Sequence, residues 1–156
     1  MNPQVQIKLL NENAKLPTKA NESDAYYDVV ATSINHTERY IEYGLGFSSE
    51  FSEDMICHIF PRSSISNYDL IMANAPGTID SSYRGEWKVR FKLTPPNFIF
   101  FDTNEEMEST YVPKIYQVGD KIAQIGFRLK KDVEWIETTA LSDTERGDGG
   151  FGSTGT

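Results

Sequence analysis

The chain has 156 residues, 38% of them hydrophobic and 24% charged, with a formal net charge of -8. That composition predicts one soluble domain with a substantial core, and its acidity argues against a broad nucleic-acid surface, which needs clustered Lys and Arg, though not against a small anion held by a few local donors. No apolar run approaches the ~20 residues that cross a bilayer. Met1-Asn2-Pro3-Gln4 lacks the parts of a signal peptide, and Cys57 stands alone. Disulfides and a cysteine zinc site are thereby excluded, and a reducing cytoplasm is the expected compartment.

Short strands with period-two alternation dominate the pattern. Val5, Ile7 and Leu9 alternate with Gln6 and Lys8, and Tyr27, Val29 and Ala31 make a second run. Asn21-Glu22-Ser23 and Asn35-His36-Thr37 fit the glycosylation sequon and are read as chance matches. A third run spans Ile41 to Phe47. Met55, Cys57 and Ile59 alternate with Ile56, His58 and Phe60, a strand expected to be buried on both faces. One short helix is predicted near Ser63 to Tyr68, and a very short strand sits between the turn signals Pro76-Gly77 and Ser81-Ser82. Trp87, Val89, Phe91 and Leu93 alternate with lysine and arginine as a half-buried strand. Residues 102–110 read as an exposed acidic loop, with a partner surface as the functional alternative. Ile122, Ile125 and Phe127 mark the last strand. The Gly-, Ser- and Thr-rich end, 146–156, is by default a flexible tail. Many short strands at this spacing predict an all-β sandwich, jelly roll or barrel.

Several segments can carry chemistry, each with a bland counterpart. The tail matches G-x-G-x-x-G formally, but no helix follows, which removes the dinucleotide-binding reading. Its glycines let backbone N–H groups approach phosphates. Arg146, Ser153 and Thr154 add donors, and Phe151 offers a ring for a flat base. Arg62-Ser63-Ser64 at a strand end is either a phosphate site or a helix N-cap beside a surface arginine. Asp80 is a general base for water or a turn cap. The Asn74 amide pairs with a pyrimidine edge or satisfies its own turn. Gln124, in an apolar run, needs a partner, structural or ligand, and Asp28 poses the same question. His36 and His58 have no metal-ligand spacing, and there is no P-loop.

Taken in order, Asp24-Ala25-Tyr26-Tyr27-Asp28, Pro61-Arg62-Ser63-Ser64, Gly77-Thr78-Ile79-Asp80-Ser81-Ser82-Tyr83-Arg84-Gly85-Glu86, Gly119-Asp120-Lys121-Ile122-Ala123-Gln124 and the Gly-rich tail resemble the five motifs of trimeric dUTPases. The resemblance implies a distorted jelly-roll subunit over 1–145 and a C-terminal arm, 146–156, exchanged onto a neighbour in a homotrimer. It implies hydrolysis of dUTP to dUMP and pyrophosphate, with active sites between subunits. Asp80 then matches the aspartate that activates water. Asn74, Gly77, Thr78 and Ile79, with backbone near Lys88, match the uracil hairpin, and Tyr83 the ring under the deoxyribose. Arg62, Ser63, Ser64 and Gln124 match phosphate positions, as do Arg146, Gly152, Ser153 and Thr154 of the tail. Phe151 matches the ring stacked on uracil, and Asp28 the carboxylate that holds Mg²⁺ through water.

The departures are specific. Tyr26 stands where the family usually has Gly, Ser64-Ile65-Ser66 replaces Gly-Leu-Ala, and Lys121 stands where Arg is common. The stretch 94–117 is longer than the family's minimal connection and reads as an insertion. Two alternatives follow: a dCTP deaminase using Glu86, and a nucleotide-sensing protein that grips a regulatory partner through 94–117.

Overall fold

The structure, a computed structural model, describes residues 3–94 and 112–150. Ten strands make up the described chain: β1 (Gln6–Leu9), β2 (Tyr27–Val30), β3 (Ser33–His36), β4 (Ile41–Gly44), β5 (Phe47–Glu50), β6 (Met55–Pro61), β7 (Leu70–Met72), β8 (Gly77–Ile79), β9 (Lys88–Leu93) and β10 (Lys121–Leu129). A single 3-10 turn, Ser63–Asn67, follows β6. The strands form two four-stranded sheets, ordered β2-β10-β6-β8 and β3-β4-β9-β7, plus the small pair β1-β5. All pairings are antiparallel. This is the all-β architecture that the alternation predicts, and it agrees with the jelly-roll subunit that the resemblance implies. No helix among the described residues is long and apolar enough to cross a membrane.

Period-two patterning explains which faces close on each other. Met55, Cys57 and Ile59 of β6 and Ile122 and Ile125 of β10 face Tyr43 of β4 and Val89 and Phe91 of β9 in one core, with Trp87 beside them. Tyr43 meets Phe91 edge-on at 5.6 Å, and its hydroxyl donates to the Tyr116 carbonyl at 3.1 Å. Burial pushes the Tyr43 phenol up to about 12. It likewise pushes the Cys57 thiol up to about 12, against a backbone hydrogen bond to Gly126, so both stay neutral and behave as core.

Four sequence expectations change here. The run Ile41–Phe47 is two strands, because Gly46 takes φ of +71° and turns the chain between β4 and β5. A side chain there would also press on Ala14 and Thr32, so the position requires glycine. Strand β6 is buried on one face only, with Ile56, His58 and Phe60 half-covered. Strands β3 and β7 were not foreseen. Ser33–His36 offers one apolar residue in four, and Leu70–Met72 is too short to show a period. Finally, neither Ser63 nor Ser64 caps the 3-10 turn: Arg62 is the cap residue, with no side-chain capping bond.

Candidate active site

The first cluster forms where β6 ends against β10 and β2. The register sets Gln124 opposite both Asp28 on β2 and Phe60 on β6. The side chains of these neighbours therefore share one face of the sheet. Arg62, just past β6, donates through Nε to Asp28 Oδ1 at 2.8 Å, and Lys121 places Nζ 2.9 Å from Asp28 Oδ2. Arg62 Nη1 also donates to Ser64 Oγ (3.2 Å) and to the Lys121 carbonyl (3.3 Å). Gln124 Nε2 donates to the Pro61 carbonyl at 3.2 Å, which answers the question its apolar setting raised. Burial pushes the Asp28 carboxyl up, but the bonds from Lys121 and Arg62 outweigh it, so it sits below its ordinary value of 3.8. The result is a fixed cationic patch: one guanidinium, one ammonium, the Ser64 hydroxyl and an amide, braced by a single carboxylate, with exposed Ser63 next to Arg62 in the chain.

The second cluster is an open cleft of about 510 Å³, lined among others by Asn74, Thr78, Asp80, Tyr83, Glu86 and Lys88. Short β8 pairs with β6 through Gly77, Thr78 and Ile79. The chain then turns, with Tyr83 N–H donating to the Asp80 carbonyl at 3.0 Å. The Tyr83 hydroxyl donates to the Glu86 carbonyl at 3.1 Å, and a Cβ on Gly85 would run into the phenol. The ring is thus held flat while 44% of it stays exposed, as a platform. Asp80 is exposed at the rim. Asn74 follows β7 in a turn containing a cis Ala75–Pro76 peptide. None of Arg62, Ser63, Ser64 or Gln124 lines this cleft, so the candidate half-sites are separate within one chain.

The comparisons bear on the whole chain. A protein-family model, dUTPase, matches residues 12–105. The deoxyuridine 5'-triphosphate nucleotidohydrolases of Nautilia profundicola and Clostridium tetani are each 36% identical to it, over 97% of this chain and 98% and 96% of theirs. The chain belongs to the dUTPase family. Among solved structures, a dUTPase of Staphylococcus bacteriophage 80alpha with dUPNHPP shares the fold, with a TM-score of 0.75 and 23% identity over 98% of this chain and 99% of that one.

Within this dUTPase-family chain the departures have visible consequences. The Tyr26 ring lies over Gly126 and meets Phe60 edge-on at 5.3 Å, and its hydroxyl accepts from Arg128 Nη2 at 3.0 Å. It packs beside the Asp28 cluster without displacing it. The Ser64 hydroxyl accepts from Arg62 and so steadies the guanidinium. Arg146 donates to the Gly149 carbonyl within its own turn at 2.9 Å and meets neither half-site. Phe151, Gly152, Ser153, Thr154 and the acidic segment 102–110 lie outside the described residues. Sequence reasoning missed Glu42, which sits beneath the cleft with Lys88 and Arg90 bonded to it. An acidic residue among the apolar positions of Ile41-Glu42-Tyr43-Gly44 was the available signal.

Proposed function

We propose that this chain hydrolyses dUTP to dUMP and pyrophosphate, with a water activated by Asp80 attacking the α-phosphorus. The observation that carries the reading is the pairing of a braced cationic patch with a separate cleft in which an exposed carboxylate stands beside a flat aromatic ring. In this reading Asn74 and the Gly77–Ile79 backbone meet the uracil edge, and the return backbone near Lys88 closes it. A tight hairpin leaves no room for a thymine methyl. Cytosine reverses the donor pattern and leaves pocket groups unpaired, a penalty that can reach ~10⁴-fold. Tyr83 lies under the deoxyribose, where a ribose 2′-hydroxyl would clash. Asp80 takes a proton from water as oxygen attacks phosphorus, the bond to the bridging oxygen breaks, and pyrophosphate leaves toward Arg62, Ser63, Ser64 and Gln124. Positioning and charge stabilisation carry most of such a reaction.

Magnesium fits this site only in hydrated form. Both Asp28 oxygens already accept a bond, yet each keeps a free lone pair for water. No group of three acidic, His or Cys residues able to hold an ion directly occurs among the described residues. A cation that keeps its waters and leans on phosphates matches that donor set, with Asp28 holding it through water. When bound, it offsets the triphosphate charge and fixes its conformation.

The proposed assembly brings the two half-sites together between subunits. Val133, Trp135, Ile136 and Leu141 are 66–91% exposed on one segment. A groove of about 570 Å³ lined by Val5, Ile7, Trp87 and Phe127 lies between β1 and β2. Trp87 Nε1 and Ser49 Oγ, both buried and lining that groove, have no hydrogen-bond partner among the described residues. These features support a homotrimer of 1–145 domains in which the segment before the arm docks on a neighbour. The arm, 146–156, then reaches the neighbour's site with Arg146, Phe151, Gly152, Ser153 and Thr154. The single, buried Cys57 suits a cytoplasmic enzyme acting on the free nucleotide pool.

A second reading, a regulatory protein partner bound through 94–117, has one structural support. Thr94 N–H donates to the Asp69 carbonyl, and Asp69 N–H to the Lys114 carbonyl. The segment therefore leaves and returns at one residue, as an insertion does. The phage 80alpha protein belongs to dUTPases said to control transfer of virulence genes. Deleting 102–110 should abolish partner capture and spare turnover. The deaminase reading is weaker, because Glu86 Oε1 already accepts from the Gly46 N–H at 3.0 Å. The deciding experiment is pyrophosphate release, with Mg²⁺, from dUTP, dTTP, dCTP and UTP in parallel. Release from dUTP alone supports the reading, and release from none, or ammonia from dCTP, overturns it.

A further inference from the structure

Glu42 lies on β4, directly opposite Arg90 and diagonal to Lys88 on β9. Cross-strand neighbours at those two positions are close enough for long side chains to meet. Lys88 Nζ stands 2.9 Å from Glu42 Oε1. Arg90 donates to Oε2 through Nε and Nη2, both at 2.8 Å. The carboxylate is only 8% exposed, while its two cations are about half exposed and line the cleft. Arg90 also lies over the Tyr40 ring at 4.4 Å, which extends the fixed wall.

Two observations separate this cluster from simple fold support. The inner face of β9, Val89 and Phe91, already packs in the core against Tyr43, so the sheet does not depend on its outer face. Strand β7 pairs only with Phe91–Leu93, and Ala73 N–H reaches the Arg90 carbonyl. The Lys88 end of β9 therefore runs beyond β7, and the cleft begins there. On its other side that end pairs with β4, and Trp87 exchanges backbone bonds with Leu45 and Phe47, so what Glu42 adds is the placement of the Lys88 and Arg90 side chains.

We propose that Glu42 is a specificity-determining positioning residue. By drawing Lys88 and Arg90 flat onto the outer face of β9, it fixes the strand edge against which a pyrimidine base is read. The inference rests on the proposed dUTP reading and names a residue that acts through Lys88 without touching substrate. Without its charge, Lys88 and Arg90 become like-charged neighbours two residues apart on one face, and their side chains lose the fixed position that shapes the strand edge. Both cations reach solvent, so their release need not unfold the protein, in contrast to stranding a buried charge.

The test compares the full-length protein with Glu42→Gln and Glu42→Asp, measuring kcat, KM and Tm with dUTP and dCTP. Glu42→Gln should raise KM for dUTP on the order of tenfold while kcat changes less than about twofold, the pattern of lost binding common to ground and transition states. Preference for dUTP over dCTP should fall by a similar factor. Glu42→Asp, which keeps the charge at shorter reach, should recover part of both. A lower Tm with unchanged KM and unchanged base preference would make Glu42 structural and overturn the proposal. So would an equal loss toward both nucleotides. If the unmodified protein releases no pyrophosphate from dUTP, the functional reading and this assignment fall together. If it is active and both variants match it, only the assignment falls.

Discussion

The molecule contains the same charge motif twice, used for different ends. Asp28 bridges Arg62 and Lys121, and Glu42 bridges Lys88 and Arg90. In each case a mostly buried carboxylate binds two partly exposed cations. The Asp28 cations come from separate places, one just past β6 and one at the start of β10. Its bridge therefore ties β2 to the end of β6 and the start of β10 and leaves a cationic patch facing outward. The Glu42 cations sit two residues apart on a single strand, so that bridge ties only the adjacent pair β4 and β9 and flattens one face. A bridge across three strands leaves its cations pointing outward from the sheet end, whereas a bridge across one adjacent pair of strands shapes a wall.

The largest effect should separate chemistry from both bridges. Asp80 belongs to neither: it is exposed, and only its backbone carbonyl takes part in the turn, accepting from Tyr83. Asp80→Asn should lower pyrophosphate release on the order of 10²–10⁴-fold, the usual worth of a general base. Retained dUTP binding by calorimetry and an unchanged Tm should accompany that loss. A variant that keeps its activity would place the base elsewhere.

Breaking the first bridge should cost less. Arg62→Ala removes a charge-assisted donor of a kind that contributes about 1.5–3 kcal/mol, so kcat/KM for dUTP should fall roughly 10- to 150-fold. Arg62→Lys should recover little, since a point charge cannot reproduce the fork that reaches Asp28, Ser64 and the Lys121 carbonyl together. Full recovery by lysine would mean that charge alone matters at this position.

The contrast between the two halves also predicts that one copy is insufficient. Trp135 is 91% exposed, and a Trp135→Ser change should weaken association without touching either bridge. Light scattering should show a shift from the proposed trimer toward monomer, with activity falling as the protein is diluted. A monomer that stays fully active would show that the half-sites join within one chain.

Sequence alone revealed the strands whose alternation has a core to answer to, such as Trp87–Leu93, and the short strand bracketed by Pro76-Gly77 and Ser81-Ser82. It did not reveal β3, a polar edge strand held by pairing with β4, because backbone hydrogen bonding leaves no side-chain period. The glycine break at Gly46 was hidden inside an apolar run whose period simply continued. At the site, the residues proposed to meet a ligand were legible through ordered motifs. Glu42, which only places other residues, was not, since its partners lie far along the chain and only the sheet register brings them together.

The smallest effect concerns acid stability, and it tests whether the two bridges are energetically alike. Bonds from Lys121 and Arg62, against opposing burial, hold Asp28 below 3.8. The Lys88 bond, followed by the Arg90 bond and again opposed by burial, holds Glu42 below 4.5. A carboxyl whose folded value is depressed binds fewer protons in the fold than in the unfolded chain near that value. Its stabilisation is complete above the unfolded value and is lost as pH falls through the folded one. The wild-type Tm should therefore decline as pH drops below 4.5 for Glu42 and below 3.8 for Asp28. Asp28→Asn and Glu42→Gln should each give a flatter curve across its own window. Exposure of the cations ranges from 29% for Arg62 to 51% for Arg90, and solvent screening weakens the more exposed pair. Asp28→Asn should accordingly flatten the curve more than Glu42→Gln. If Glu42→Gln flattens it more, the wall-forming bridge is also the more stabilising one, and the division of labour between the two carboxylates is wrong.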